Sequence, residues 1–160
     1  MAAELMMTNE NLILLHQKFD NYEGAIKAME KLAKNQCLID DDYLPAILTR
    51  EADYPTGLEL PVPIAIPHID TGVKRSFVSI TTLDEPVVFK SMDRSGDDVE
   101  ARIVFVFGIT DPNTQLEILK KFARSFSDKE KMMSLVETDS KKELIMKLNE
   151  MLDNMMTVEQ

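Results

Sequence analysis

Apolar and polar positions change period along this chain. Between Asn11 and Phe19 the apolar block Leu12-Ile13-Leu14-Leu15 is too short for an independent helix and predicts an N-terminal strand that includes His16. From Tyr22 to Lys34 the spacing becomes helical: Ile26, Met29, Leu32 and Ala33 share a face, lysines and glutamates separate them, and Asp20 or Asn21 can cap the start. The acidic run Asp40-Asp41-Asp42 suits a helix N-terminus, and Tyr43, Leu44, Ile47 and Leu48 then form an apolar face to about Glu51 or Ala52. Pro55, Gly57, Pro61, Pro63 and Pro67 follow. Proline lacks an amide donor and extends its predecessor, so this stretch reads as an ordered loop interrupted by short strands.

Alternation takes over in Ser76–Leu83, rich in β-branched residues, with a short second run at Val87-Val88-Phe89. Arg102–Phe107 is almost continuously apolar and predicts a central strand covered on both faces. From Asn113 onward the period is helical again, with Leu116, Leu119, Phe122, Ala123 and Phe126 as one stripe and further helices over Lys129–Glu137 and Lys141–Leu152. Methionines of the last helix are expected to fill the core. Strands in the middle with helices at both ends indicate an α/β sandwich: one domain over residues 1–152, with a tail at 153–160 expected to fray.

A chain of 160 residues suits a single core, and 44% hydrophobic with 29% charged residues is a globular balance. The formal charge of −10 repels phosphate backbones, which argues against nucleic-acid binding. Cys37 stands alone, so no intramolecular disulfide can form, and a packing role is expected for it. Two histidines and one cysteine make no zinc pattern, which puts a metal-dependent hydrolase well behind other readings. The first residues lack a charged and apolar leader pattern, and no stretch approaches the roughly 18 apolar residues of a membrane span. A cytoplasmic chain without direct membrane insertion is expected.

His68 is the first candidate for chemistry. It ends the short run Ile64-Ala65-Ile66-Pro67-His68, and a neutral imidazole, with a reference pKa of about 6.5, is a nucleophile at physiological pH. The competing reading is a satisfied histidine at a strand end. Arg50, near the end of the second helix, could neutralise a phosphoryl group with its planar guanidinium, or simply complement the helix dipole. Thr56 and Gly57 are turn residues by type, yet a hydroxyl and an unhindered amide could also face a phosphate. Gln115 falls in the first turn of the late helix, where free amides can bind an anion, the alternative being ordinary capping by Asn113 or Thr114. His16 lies within an apolar run and reads as a packed strand residue.

Taken together, Thr49-Arg50-Glu51, Pro55-Thr56-Gly57-Leu58, Ile64-Ala65-Ile66-Pro67-His68 and Gln115-Leu116-Glu117-Ile118-Leu119 resemble the enzyme IIA domain of the fructose/mannitol superfamily of the bacterial sugar phosphotransferase system, most closely its galactitol-type branch. The resemblance spans nearly the whole chain. It implies a mixed β-sheet flanked by helices and no cofactor. It also implies that His68 takes a phosphoryl group from the phosphohistidine of HPr and passes it to a cysteine of enzyme IIB, which phosphorylates a polyol entering through the membrane component IIC. Arg50 would supply positive charge, with Thr56, Gly57 and Gln115 in support. Better-known mannitol and nitrogen-regulatory members carry a second histidine where this chain has Gln115, an amide that can donate a hydrogen bond but cannot become cationic. A regulatory module governed by phosphorylation of His68 is the alternative.

Overall fold

Side chains of a strand alternate between faces, so the apolar run around Phe105 demands cover on both sides. The structure, a computed structural model, describes residues 6–159. Strands β1 (Met6–Thr8) and β2 (Ile13–Gln17) flank a 3-10 turn at Glu10–Leu12, and helices α1 (Tyr22–Asn35) and α2 (Tyr43–Asp53) follow. Next come the short strands β3 (Gly57–Leu58), β4 (Ile64–Ala65) and β5 (His68–Ile69), then the long strands β6 (Phe77–Lys90) and β7 (Asp98–Gly108). Helices α3 (Pro112–Ser125), α4 (Lys129–Glu137) and α5 (Lys141–Met151) lead to β8 (Met156–Val158).

These strands form one mixed sheet ordered β3-β4-β7-β6-β1-β8, with β2 also pairing β6 and β5 also pairing β7. The β6–β7 pair is antiparallel, whereas β1 and β2 run parallel to β6, and β4 and β5 parallel to β7. Along β7, Ile103, Phe105 and Phe107 enter a core with Ile118, Phe122, Phe126, Leu135, Leu144 and Leu148. Val104 and Val106 enter the opposite one, with Ile26, Met29, Tyr43 and Ile47. Helices α1 and α2 therefore cover one face, and α3, α4 and α5 the other. The predicted sandwich, its mixed sheet and its doubly covered central strand are all present.

Several local expectations are corrected. Ser76–Leu83 and Val87–Phe89 belong to one strand, because the register of β6 on β7 shifts between Thr82 and Val87 and absorbs Asp84-Glu85-Pro86. Such an irregularity is where a sheet tolerates proline. The apolar face of α3 is rotated: Ile118, Phe122 and Phe126 are buried at intervals of one turn, while Leu116 is 55% exposed and Ala123 is exposed. Met146 on α5 is likewise exposed, and Leu144, Ile145 and Leu148 do most of the packing, with Met151 half-buried against the same core. Cys37 is exposed with φ 58°, in the turn that ends α1, so it has no packing role. His16 is not packed in the core either. At φ 54° its half-buried ring leaves the strand, Nδ1 3.1 Å from Asp84 and Nε2 3.0 Å from the Thr138 carbonyl.

The tail does not fray. Asp153 and Asn154 adopt left-handed φ values of 52° and 62°, which these residue types tolerate and which turn the chain back after α5. Met156–Val158 then pairs in parallel with Met6–Thr8, the Glu159 amide donates to the Thr8 carbonyl at 2.9 Å, and the Glu159 carboxylate pairs with Arg75. Met156 is 3% exposed, and truncating a buried methionine costs about 2 kcal/mol even at the lower end of the usual range. Met156→Ala should therefore lower the free energy of unfolding by about that amount, measured by urea denaturation. A change near zero would return residues 153–159 to a frayed tail.

Candidate functional site

Strands β4 and β5 keep one register on β7: Ile64 pairs with Ile103, Ala65 with Val104, His68 with Phe107 and Ile69 with Gly108. They are one line of chain broken at Ile66-Pro67, where proline has no amide to donate. The Pro67 carbonyl still accepts from the Phe107 amide at 2.9 Å, while the Ile66 carbonyl accepts from His68 Nδ1 at 2.7 Å. A carbonyl only accepts, so Nδ1 carries the ring proton and Nε2 carries the lone pair. His68 is 5% exposed. Burial pushes its pKa below the ordinary value, the Ile66 bond opposes this, and the nearby charge of Arg50 lowers it further. At neutral pH the ring is uncharged, with a nucleophilic nitrogen.

Arg50 lies in the last turn of α2, and its charge reaches His68 across the end of the sheet. Arg50 Nε is buried and has no hydrogen-bond partner among the described residues. A buried unmatched donor costs roughly 1–3 kcal/mol, and such an atom in a native structure calls for an anion or a water to complete it. The next residue faces inward. Glu51 is 4% exposed, accepting from the Thr56 amide and from the Thr56 hydroxyl, each at 2.8 Å. Burial raises its carboxyl to about 7 against the Thr56 bonds and the Arg50 charge, which pull it down.

Thr56 and Gly57 are thus held by other groups. The Thr56 hydroxyl proton is engaged by Glu51, and Gly57 is needed for close approach: a Cβ there would lie 2.7 Å from the Lys90 carbonyl oxygen and 2.9 Å from Val99 Cβ. The Gly57 carbonyl accepts from the Met92 amide at 2.8 Å, tying this loop to the turn between β6 and β7. Gln115 sits half-buried in the first turn of α3, on the connection that leaves β7 immediately after Gly108, the residue paired with Ile69. The cap of that helix is Asp111, rather than Asn113 or Thr114; its carboxylate accepts from the Asn113 amide at 3.1 Å and from the Thr114 hydroxyl at 2.9 Å. Its negative charge opposes anion binding by the same amides, which leaves the Gln115 side chain as what this segment offers. Asp70 is exposed.

The residues missed from sequence were Glu51 and two partners of Arg50's surroundings, Tyr54 and Arg94. Both guanidinium groups lie over the Tyr54 ring, Arg50 Cζ 5.6 Å and Arg94 Cζ 5.2 Å from its centroid. Glu51 stood inside a quoted element, and an acidic residue on the inner side of an amphipathic helix end was a usable signal. Nothing in the sequence marks a hairpin arginine as a neighbour of Arg50. Among the described residues no helix is long and apolar enough to cross a membrane.

The chain resembles known proteins along most of its length. The chain is 29% identical over 150 residues to the mannitol-specific phosphotransferase enzyme IIA component of Geobacillus stearothermophilus, covering 91% of this chain and 96% of that protein. It is 32% identical over 93 residues to the galactitol-specific EIIA component of Escherichia coli K12, 57% of this chain and 60% of that one. Similar solved structures include the crystal structure of the mannitol IIA of Escherichia coli, with TM-score 0.69, 22% identity and coverage of 89% and 96%. Another is the complex of mannitol enzyme IIA with phosphorylated enzyme IIB from the same organism, with TM-score 0.73, 22% identity and coverage of 93% and 99%. Residues 6–151 match the sequence model of the family described as phosphoenolpyruvate-dependent sugar phosphotransferase system, EIIA 2, and to that family of phosphotransferase components the chain belongs.

Proposed function

We propose that this enzyme IIA is a cytoplasmic phosphoryl carrier that accepts the group on His68 Nε2 from the phosphohistidine of HPr and passes it to a cysteine of enzyme IIB. It would serve uptake of a hexitol such as galactitol or mannitol through the membrane component IIC. The observation that carries this reading is the fixed tautomer of His68, buried, neutral and proton-bearing on Nδ1. The polyol rests on the relatives, which are named for mannitol and for galactitol. Enzyme IIB as partner is supported by the similar structure of a mannitol IIA in complex with phosphorylated IIB.

In the first step the Nε2 lone pair attacks phosphorus as the donor's P–N bond breaks and its electron pair returns to the donor ring. His68 gains a P–N bond and becomes an N-phosphorylated imidazolium that keeps its Nδ1 proton. The Ile66 carbonyl, already accepting that proton, meets the new positive charge without any rearrangement. In the second step a thiolate attacks phosphorus, the Nε2–P bond breaks, and His68 leaves as the neutral imidazole it began as. No general acid or base is required, so positioning and charge neutralisation dominate. Arg50 would meet the phosphoryl oxygens with its buried Nε–H and the remainder of the fork, and Gln115 would donate from the start of α3. Thr56 and Gly57 would act by holding the loop that carries them, through Glu51 and the β6–β7 turn.

Incubation with enzyme I, HPr and phosphoenolpyruvate should give one acid-labile phosphoryl adduct by intact mass, absent from His68→Ala. A folded parent that takes no adduct would end the carrier reading. Arg50→Ala should change stability by less than about 0.5 kcal/mol, because losing a contact with the exposed Tyr54 ring is offset by removing an unmatched buried donor. It should slow phosphorylation of His68 by about a hundredfold or more, read by quenched-flow mass analysis. Equal rates in variant and parent would remove Arg50 from the mechanism.

The pH dependence has a definite sign. Glu51 titrates at about 7 in the folded chain against 4.5 for an unperturbed carboxyl, so the folded state holds more protons between those values. Its contribution to stability is full below about 4.5, declines as pH rises through about 7, and is constant above. His68 works in the opposite sense, its contribution falling as pH drops below its ordinary 6.5. Glu51→Gln removes only the first effect. The stability of this variant relative to the parent should rise across the Glu51 window and level off above it, as measured by urea midpoints below, within and above that window; parallel profiles would show that Glu51 is ionised throughout.

A further inference from the structure

His16 sits where β2 departs from its partner strand. Leu14 pairs with Thr81 of β6 and Gln17 with Leu83, so three steps along β2 match two along β6 and one residue is left over as a bulge. His16 holds φ 54° there, a left-handed conformation uncommon for a residue with a side chain. Its amide leaves the ladder and donates to the Thr82 hydroxyl oxygen at 3.0 Å. Bulges re-aim side chains, and this one turns the imidazole toward two other elements.

Both ring nitrogens then meet acceptors. Nδ1 lies 3.1 Å from the carboxylate of Asp84, in the irregular segment of β6. Nε2 lies 3.0 Å from the Thr138 carbonyl and 2.8 Å from the Asp139 carboxylate, both in the connection between α4 and α5. A neutral imidazole has one N–H and would set its lone pair against an oxygen at the other nitrogen, whereas an imidazolium donates from both. His68 has the opposite arrangement, a single carbonyl at Nδ1 and an uncharged ring.

Among the described residues, His16 is the only cation paired with Asp84 or Asp139. The other charges nearby have their own partners: Glu143 of α5 accepts from the Thr138 hydroxyl at 3.1 Å and pairs with Lys147 at 2.9 Å, and Lys18 pairs with Glu85 at 3.7 Å. Partial loss of water pulls the pKa of His16 down, but the bond and charge of Asp84, the Thr138 carbonyl and Asp139 together outweigh this and hold it above the ordinary 6.5. Residues 138–140 otherwise bond only within the connection and α5, the Ser140 amide donating to the Thr138 hydroxyl oxygen at 3.2 Å and the Glu143 amide to the Ser140 hydroxyl oxygen at 3.1 Å. Every hydrogen bond and ion pair that ties the connection to the sheet, among the described residues, therefore runs through one ring.

We propose that the imidazolium of His16 is a proton-operated clasp that fastens the α4–α5 connection to the bulge of β2 and the irregular segment of β6, and that a rise in pH releases it. Release is local, because Leu135, Val136, Leu144 and Ile145 keep both helices packed on the sheet.

The test is an NMR titration of the parent. The chain has two histidines, and either His16→Asn or His68→Ala identifies the His16 imidazole signal by elimination. That ring should titrate above 6.5, and the amides of Thr138, Asp139 and Ser140 should shift with the same midpoint. Asp84→Asn should move the midpoint down, and Asp139→Asn should move it down less. The sign for stability follows: a pKa raised by folding gives a contribution that is full below the ordinary 6.5 and is lost as pH rises through the folded value. Asparagine tolerates a left-handed backbone and carries no charge, so the urea midpoint of the parent should exceed that of His16→Asn most between the carboxylate range and pH 6.5, and the margin should shrink above it. A His16 midpoint at or below 6.5, or connection amides that stay still while the ring titrates, would overturn the clasp. An Asp84→Asn midpoint equal to the parent's would do the same. A margin over His16→Asn that is constant across the titration would overturn its release by pH.

Discussion

The backbone and side chain of Phe107 hold the three elements of the site together. Its amide donates to the Pro67 carbonyl at 2.9 Å and its carbonyl accepts from the Tyr43 hydroxyl at 2.7 Å, while the residue itself pairs in register with His68. The first and third of these fix the histidine. The second fixes the start of α2, and with it Arg50 at the other end of that helix. On the opposite face of the sheet the Phe107 ring meets Phe122 of α3 at 5.1 Å, which sets the helix that begins near Gln115. All these groups are buried, so each hydrogen bond lost would leave a buried polar atom without a partner. Histidine, arginine and glutamine therefore depend for their relative placement on one residue in the middle of the protein, not on the loops that join them.

From that anchor the chemistry of His68 follows from a single covalent fact. Proline at position 67 cannot extend the ladder, and the neighbouring Ile66 carbonyl is turned to the imidazole instead. One substitution in the strand thereby sets the tautomer, the ring orientation and the nitrogen left to react. Burial keeps the ring neutral, and on the proposed role it would make a phosphorylated, positively charged ring costly to maintain, as a group destined to move on requires. Arg50 and Glu51 divide two tasks between adjacent positions of one helix. The arginine keeps an unmatched buried donor, while the glutamate turns inward and binds Thr56 through both carboxylate oxygens.

Much of this was legible in the order of residues, and the failures share a cause. Helices α1, α2, α4 and α5 and strand β7 follow from periodicity, because each buries a face long enough to impose its own spacing. Strands β1 and β8, of three residues each, cannot show a period; they exist because each gives the other a partner. The face of α3 was misread because Leu116 and Ala123 fit a helical stripe as well as Ile118 does, and only the position of β7 decides which stripe turns inward. His68 and Arg50 stood out by residue type and order, whereas the roles of Thr56 and Gly57 as loop fasteners needed their partners to be seen. Arg94 was illegible for a stronger reason: it meets the Tyr54 ring from a turn that is tied to Gly57 across the fold, and no local pattern records either contact.

A depression of about 750 Å³ lies between the 3-10 turn and α5, lined by Asn9, Asn11, Met146 and Asn149, far along the sequence from every residue named for the transfer. That separation fits the chemistry. A small-molecule enzyme encloses its substrate and needs a pocket, but a relay protein must bring phosphorus between two nitrogens, or a nitrogen and a sulfur, that belong to different proteins. The partner supplies the opposite wall, and water leaves only when the two surfaces meet. On the proposed reading, what the chain would provide alone is a fixed lone pair and a cation already in place. On that reading, the buried His68 with its free Nε2 and Arg50 with its unmatched Nε–H are suited to those two tasks.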